Sequence, residues 1–191
     1  MSKTRDISSE ADILELERAI TSSAQSAVDA LRTLLASAPA VVALGAVKFE
    51  NIGCDPLSDR PLNLIEQVNQ TFTYLATCAA LRELFHRHPE AAPFVINLGT
   101  AAGPDIVAKD RSIVAEVFAA THPRSNDKLR KDLMKVSNWS AAAHKYVFYS
   151  CPGEQVGTKG PVKGFDDISV VSLGPCHERS TVPSTPCDNV V

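Results

Sequence analysis

The stretch Gly103-Pro104-Asp105-Ile106-Val107, followed by Ile113-Val114-Ala115-Glu116-Val117-Phe118, decides the fold. Both stretches are rich in β-branched residues and predict strands, and the turn Lys109-Asp110-Arg111 between them predicts an antiparallel β-hairpin. Each predicted strand carries one carboxylate, Asp105 on the first and Glu116 on the second. A carboxylate in a half-buried strand costs free energy unless something pairs with it. Two of them on adjacent strands therefore predict a shared cation and a metal-dependent active site.

The composition is typical of an ordinary globular protein. The chain has 191 residues, of which 45% are hydrophobic, and this predicts one domain with a real core. Residues 1–6 are polar and no window approaches the roughly 18 apolar residues of a membrane span, so we expect a cytoplasmic protein without a membrane partner. The cysteines are scattered and form no CxxC, which predicts reduced thiols; they are Cys54, Cys78, Cys151, Cys176 and Cys187.

The formal net charge of −3 excludes a protein coated in basic residues, such as a histone-like binder. It does not exclude nucleic acid, because phosphate contact depends on the few charges at the interface. Residues 122–135 contain five Arg or Lys against two Asp. We therefore predict DNA contact there, with a solvated helix face as the alternative; the candidates are Arg124, Arg130, Lys131 and Lys135.

Two long helices are predicted before the hairpin. Residues 8–36 have an N-cap pattern and a helical apolar stripe, and a second helix runs from Pro61 to about His86. Between them, residues 41–47 read as a short strand or a helix end, and residues 51–61 as loop.

Five strands and one further helix follow from the β-type runs. The strands are predicted at 94–98, 104–108, 112–120, 144–149 and 168–173, with a helix at 126–136. A helix between the third and fourth strands is the usual parallel crossover, so the predicted fold class is α/β with a mixed sheet. We expect a single domain over residues 1–173, with an N-terminal helical segment (1–50) and a disordered tail (174–191).

This order of elements over residues 62–150, with Pro-Asp and then an acid on the hairpin, resembles the PD-(D/E)xK nuclease superfamily, which includes type II restriction endonucleases. The resemblance implies an α/β/α sandwich with a central mixed sheet of about five strands, restriction-endonuclease-like. It also implies that Asp105 and Glu116 hold one or two Mg²⁺ (or Mn²⁺) ions. The third signature position, a lysine in the family, is Phe118 here, which departs from the pattern.

Members of this superfamily are similar in tolerating a lysine that comes from a neighbouring helix. In the predicted helix 126–136, Leu129 and Leu133 define the buried face, and Lys128 with Asp132 borders it. Lys128 is therefore predicted to replace the missing lysine, with an ordinary solvated lysine as the alternative.

Many family members also carry a Glu on the helix before the first strand, and Glu66 matches that position. Its neighbours Asn69 and Gln70 belong to an amide-rich row, which suits a surface that meets sugar, base or phosphate. A hydrogen-bonded or capping polar row is the alternative.

Two functions fit the sequence. The first is a metal-dependent DNA endonuclease with Asp105, Glu116, Lys128 and Glu66 as catalytic residues. The second is a catalytically inactive member that acts as a DNA-binding or interaction module, in which Phe118 records loss of the lysine; a nuclease subunit of a larger complex is a third reading. Double-strand cutting by one site per chain usually requires a two-fold axis, so a homodimer is the expected assembly.

Overall fold

A computed structural model of the chain describes residues 4–98 and 103–176. The strands of these residues are β1 (Thr4–Ile7), β2 (Gly53–Cys54), β3 (Pro61–Leu62), β4 (Phe94–Asn97), β5 (Ile106–Ala108), β6 (Ile113–Ala119), β7 (His144–Ser150), β8 (Gly157–Thr158) and β9 (Ile168–Ser172). The helices are α1 (Glu10–Ser37), α2 (Ala40–Phe49), α3 (Leu64–Arg87) and α4 (Lys128–Ser137), with a 3₁₀ turn at Ser125–Asp127 before α4.

The central sheet is mixed and mostly antiparallel. Its order is β1-β4-β5-β6-β7-β9-β8, and β2 with β3 forms a separate two-stranded sheet. The pairs β6–β7 and β7–β9 are parallel and the remaining pairs of the central sheet are antiparallel. All five predicted strands are present, but the described sheet has seven strands and not about five.

The β5–β6 hairpin confirms the antiparallel pairing predicted from the sequence. Ile106 pairs with Ala115 and Val107 with Val114. The turn between them is closed by a backbone hydrogen bond of 2.8 Å from Arg111 to Ala108, and Arg111 has a φ of 65°. From β6 the chain passes through α4 and returns parallel as β7, which confirms the predicted crossover.

Helices cover both faces of this sheet. On one face, Ala115 and Val117 of β6 belong to the core formed with α1 and α3. On the other face, Val114 and Phe118 belong to the core formed with α4. Side chains alternate along a strand, so Glu116 lies on the α4 side.

The N-terminal region differs from the predicted helical segment (1–50), because β1 adds a strand to the central sheet beside β4. The sequence Thr-Arg-Asp-Ile has no apolar alternation, and its one apolar residue, Ile7, is fully buried in the core with α1 and α3. Helix α1 begins at Glu10, with Ser9 as its N-cap in a capping box, and residues 41–47 lie in α2. Within residues 4–98 and 103–176, no helix combines the length and apolar character that a bilayer crossing needs.

The first residues of the predicted tail are part of the fold. Ser150 donates a hydrogen bond of 2.7 Å to the carbonyl oxygen of Gly174, and the Cys176 backbone donates one of 3.1 Å back to Ser150 Oγ. The rest of the predicted tail lies outside the described residues. The four cysteines that the structure describes are free thiols, as predicted.

Candidate functional site

Asp105 lies immediately before β5, and continuation of the hairpin register places it opposite Glu116. Its Oδ2 accepts a hydrogen bond of 2.8 Å from the backbone N–H of Val117. Burial raises the pKa of Asp105, and the Val117 hydrogen bond offsets only part of that effect. The strand geometry that fixes the hairpin therefore also fixes one carboxylate of the site.

Glu116 is the buried carboxylate in the middle of β6, with 2% of the residue exposed. Its Oε2 accepts a hydrogen bond of 2.8 Å from Lys135 Nζ. Burial and then the negative charge of Asp105 raise the pKa of Glu116 to about 7, despite the lysine. A titration in this range means that Glu116 exchanges a proton near neutral pH.

A third carboxylate, Asp132, extends this group from α4. Asp132 is fully buried, and its Oδ1 lies 2.8 Å from Lys128 Nζ and 3.5 Å from Lys135 Nζ. Its Oδ2 is buried and has no hydrogen-bond partner among the described residues. We refer to Asp105, Glu116 and Asp132 as the carboxylate cluster. Two lysines thus face three acids.

Lys135 is the lysine that reaches the carboxylate of Glu116 on β6. The sequence predicted it for DNA contact and predicted Lys128 for the catalytic position. In the structure Lys128 pairs with Asp132 and lies 5.9 Å from the centre of the Phe118 ring. The spacing of 128, 132 and 135 places all three on one helix face, a signal that could have added Lys135 to the candidates without choosing between the two lysines.

Phe118, two residues after Glu116 on β6, packs in the apolar core on the α4 side. It is 2% exposed and its ring stacks on Tyr149 at 5.7 Å between centroids. The α4-side core is thus apolar at this position of β6, and the ammonium that reaches Glu116 comes from α4.

The other predicted site residues lie apart from this network. Glu66 is exposed in the first turn of α3, where its backbone N–H donates a 2.9 Å hydrogen bond to the capping Asn63. Helix α3 packs on the sheet face opposite to Glu116, so the structure does not bring Glu66 to the carboxylate cluster. Asn69 is exposed beside an apolar cavity at the end of β6, and Gln70 is half-exposed.

The basic residues predicted for DNA contact lie along α4 and its N-terminal turn. Arg124, Arg130 and Lys131 are exposed, and Lys131 donates a hydrogen bond of 2.8 Å to the Asn126 carbonyl. Arg124 and Arg130 line a cavity together with Lys163, which the sequence did not single out.

The donor chemistry of Asp105 and Glu116 fits a divalent cation such as Mg²⁺ or Mn²⁺. Across residues 4–98 and 103–176 there is no group of three His, Cys, Asp or Glu arranged to hold a metal. Mg²⁺, however, is commonly bound through one or two carboxylates, its own waters and substrate phosphate. Repulsion between the charges of Asp105 and Glu116 contributes to the raised pKa of Glu116, and a bound cation would relieve that repulsion. Two carboxylates that repel each other therefore match the chemistry of the ion.

Comparison of the chain with protein-family models, with curated proteins and with solved structures gave no match. The functional argument therefore rests on the geometry of the site.

Proposed function

We propose that this protein is a metal-dependent DNA endonuclease with a restriction-endonuclease-like α/β/α fold. The observation that supports it is the lysine ammonium of Lys135 held at 2.8 Å from Glu116 Oε2, while Asp105 sits opposite on the hairpin. Two opposed acids with an ammonium beside them can together hold a metal ion and balance charge on a phosphate, as metal-dependent phosphodiester hydrolysis requires.

In this proposal Asp105 and Glu116 hold Mg²⁺ or Mn²⁺, which when bound supplies Lewis acidity and a more acidic water. Glu116 must be ionised for that role, and the Lys135 hydrogen bond lowers its pKa toward the ionised form. The ammonium of Lys135 then stands beside Glu116, where it orients the attacking water and balances charge on the phosphate. Phe118 excludes solvent from the inner side of the site.

Lys128 remains the alternative for the catalytic lysine. It holds the buried Asp132 at 2.8 Å, and through Asp132 it contacts the same charge network as Lys135. Because Lys135 hydrogen-bonds directly to Glu116, we favour Lys135 in the catalytic position. Lys128 then balances the charge of Asp132.

A cleavage assay with Mg²⁺, Mn²⁺ and EDTA tests the function on supercoiled plasmid and on single strands. We expect metal-dependent nicking that Glu116→Gln reduces by about two orders of magnitude or more. The matched control is Glu50→Gln, which removes an exposed acid after α2. Cleavage that persists in Glu116→Gln would reject the site.

The second candidate function is an inactive DNA-binding module. Two observations favour this second function. Phe118 occupies the signature position, and both acids already have hydrogen-bond partners, Lys135 for Glu116 and the Val117 backbone for Asp105. Metal affinity without cleavage would support this reading. For the active enzyme we propose a two-fold homodimer, and light scattering that finds a monomer on DNA would oppose it.

A further inference from the structure

A cavity with several charged residues in its lining lies beside α4, away from the carboxylate cluster. Its volume is about 430 Å³, within the range of small-molecule sites. It is lined by Arg124, Asp127, Leu129, Arg130, Leu133, Val162, Lys163 and Phe165. On the helical wheel of α4, the lining residues and the residues that face Glu116 lie on different sides. A ligand here would not compete for Asp105 or Glu116.

The charges of this cavity are unbalanced toward positive. Arg124, Arg130 and Lys163 oppose one acid, Asp127. None of the three cations forms a salt bridge with a carboxylate in the part of the chain that the structure describes, whereas Lys128 and Lys135 both do. Three exposed cations without acidic partners at one opening favour an anionic ligand, and an Arg guanidinium suits phosphate in particular.

The wall of the cavity is apolar and includes an aromatic ring. Phe165 is half-buried and packs with Val162 and Leu129 against the α4-side core. Bases stack on aromatic side chains, and such stacking tolerates any base because every base has a π-face. Cations at the opening and an aromatic wall together match a molecule with one phosphate and one planar ring.

We propose that this cavity binds a nucleoside monophosphate, with the phosphate held by Arg124, Arg130 and Lys163 and the base against Phe165. The site goes beyond the proposed nuclease, because it uses neither the carboxylate cluster nor a metal ion. Its ligand has two sources, a free mononucleotide or the 5′-phosphorylated end of a strand.

Calorimetry in EDTA with dAMP tests the proposal without any cleavage step. We expect dAMP to bind at least about tenfold more tightly than either inorganic phosphate or deoxyadenosine, because it engages both halves of the site. Arg130→Gln and Lys163→Gln should each weaken dAMP binding about tenfold. Arg18→Gln removes an exposed cation from α1 and should leave binding unchanged.

Phe165→Leu separates a nucleotide site from a simple anion site. The leucine keeps apolar packing, and thermal unfolding verifies the fold. We expect it to weaken dAMP about tenfold and to leave inorganic phosphate unaffected. No dAMP binding at millimolar concentration, or equal binding of dAMP and inorganic phosphate, would overturn the proposal.

Short single strands identify the source of the ligand. A 5′-phosphorylated strand that binds more tightly than dAMP, and loses this advantage with a 5′-hydroxyl, assigns the site to strand ends. Tighter binding of dAMP assigns it to free mononucleotides. Because EDTA is present throughout, these results stand even if the protein cuts no DNA, and a failure here leaves the nuclease proposal open.

Discussion

The ammonium of Lys135 lies 2.8 Å from Oε2 of Glu116 and so joins the last turn of α4 to the middle of β6. The lysine side chain is 56% exposed and the glutamate side chain 2% exposed. The buried carboxylate of Glu116 is thereby paired with a lysine side chain that solvent reaches. Phe118, which lies on the same sheet face as Glu116, is buried in the core under α4.

Lys135→Ala should reduce metal-dependent DNA cleavage by about two orders of magnitude or more, because it removes the ammonium beside Glu116. It should also raise the pKa of Glu116 above about 7, since the lysine hydrogen bond and charge lower that pKa. NMR titration of the glutamate carboxyl carbon measures the second effect without any activity. The comparison variant is Lys128→Ala, and a larger loss of cleavage there would assign the catalytic lysine to Lys128.

The contribution of Glu116 to the free energy of unfolding should fall as pH rises from about 4.5 to about 7, whereas His88, whose pKa is lowered, contributes with the opposite sign. Glu116 has a folded pKa of about 7 and a reference value of 4.5, so the folded protein keeps a proton that the unfolded chain has lost. Asp105, whose pKa is also raised, contributes with the same sign. Urea unfolding at a series of pH values measures this slope.

Glu116→Gln should flatten that profile, because a neutral amide has no proton to lose. At about pH 8 the variant should be more stable than the wild type by on the order of 1–2 kcal/mol. Equal slopes in the two proteins would show that Glu116 does not titrate near neutral pH.

Asp105→Asn should weaken Mg²⁺ or Mn²⁺ binding by about tenfold or more, as expected for loss of one of two charged ligands. The amide oxygen can still accept the hydrogen bond from Val117, so the hairpin should keep its structure. Calorimetry gives the affinity and circular dichroism verifies the fold. Affinity should also increase as pH rises through about 7, because Glu116 must lose its proton to bind the ion. Unchanged affinity in the variant would exclude Asp105 as a ligand.

Lys131→Ala should weaken DNA binding in a salt-dependent manner, because in the proposed DNA interface its exposed ammonium neutralises one phosphate. The slope of log affinity against log salt should become smaller by about one unit. Cleavage rates at saturating DNA should not change. A slope equal to that of the wild type would remove Lys131 from the DNA-contacting surface.

Gln67→Met should destabilise the fold by about 2–4 kcal/mol, since it leaves buried groups unpaired. Gln67 is 1% exposed; it accepts a hydrogen bond of 3.1 Å from the Cys54 backbone and donates two to Ser23, at 3.1 Å and 2.9 Å. The control is Gln70→Met on the half-exposed side of α3, which should change stability by less than about 0.5 kcal/mol. Chemical denaturation compares the two.

The hairpin and the crossover could be predicted because their signals are local. A short turn between two β-branched runs left little choice other than antiparallel pairing, and an amphipathic helix after β6 required a parallel return. Strand β1 could not be predicted, because Thr4–Ile7 is polar and its pairing with β4 joins residues about ninety positions apart. Helix α2 was ambiguous because an apolar run of this length fits a helix or a strand.

At the site, the sequence identified the acids but not their partners. Asp105 and Glu116 stand out because acids are unusual in β-branched runs. The choice between Lys128 and Lys135 depends on how α4 is placed across β6, which no local pattern specifies. The amide-rich row spans residues 63–70, and its members have different roles in the structure. Asn63 caps α3 and Gln67 is a buried hydrogen-bonded group, which fits the alternative of a hydrogen-bonded or capping polar row.

Strand β6 is paired on both sides, with β5 and β7, and six of its seven residues are buried. Its amide hydrogens should therefore exchange with deuterium only when the whole sheet opens, at the slowest rates in the molecule. Local fraying therefore cannot expose Glu116 to solvent and lower its pKa, as it can for a carboxylate in a loop. The raised pKa of Glu116 is thus maintained by the global cooperativity of the fold, and it should persist until the protein unfolds.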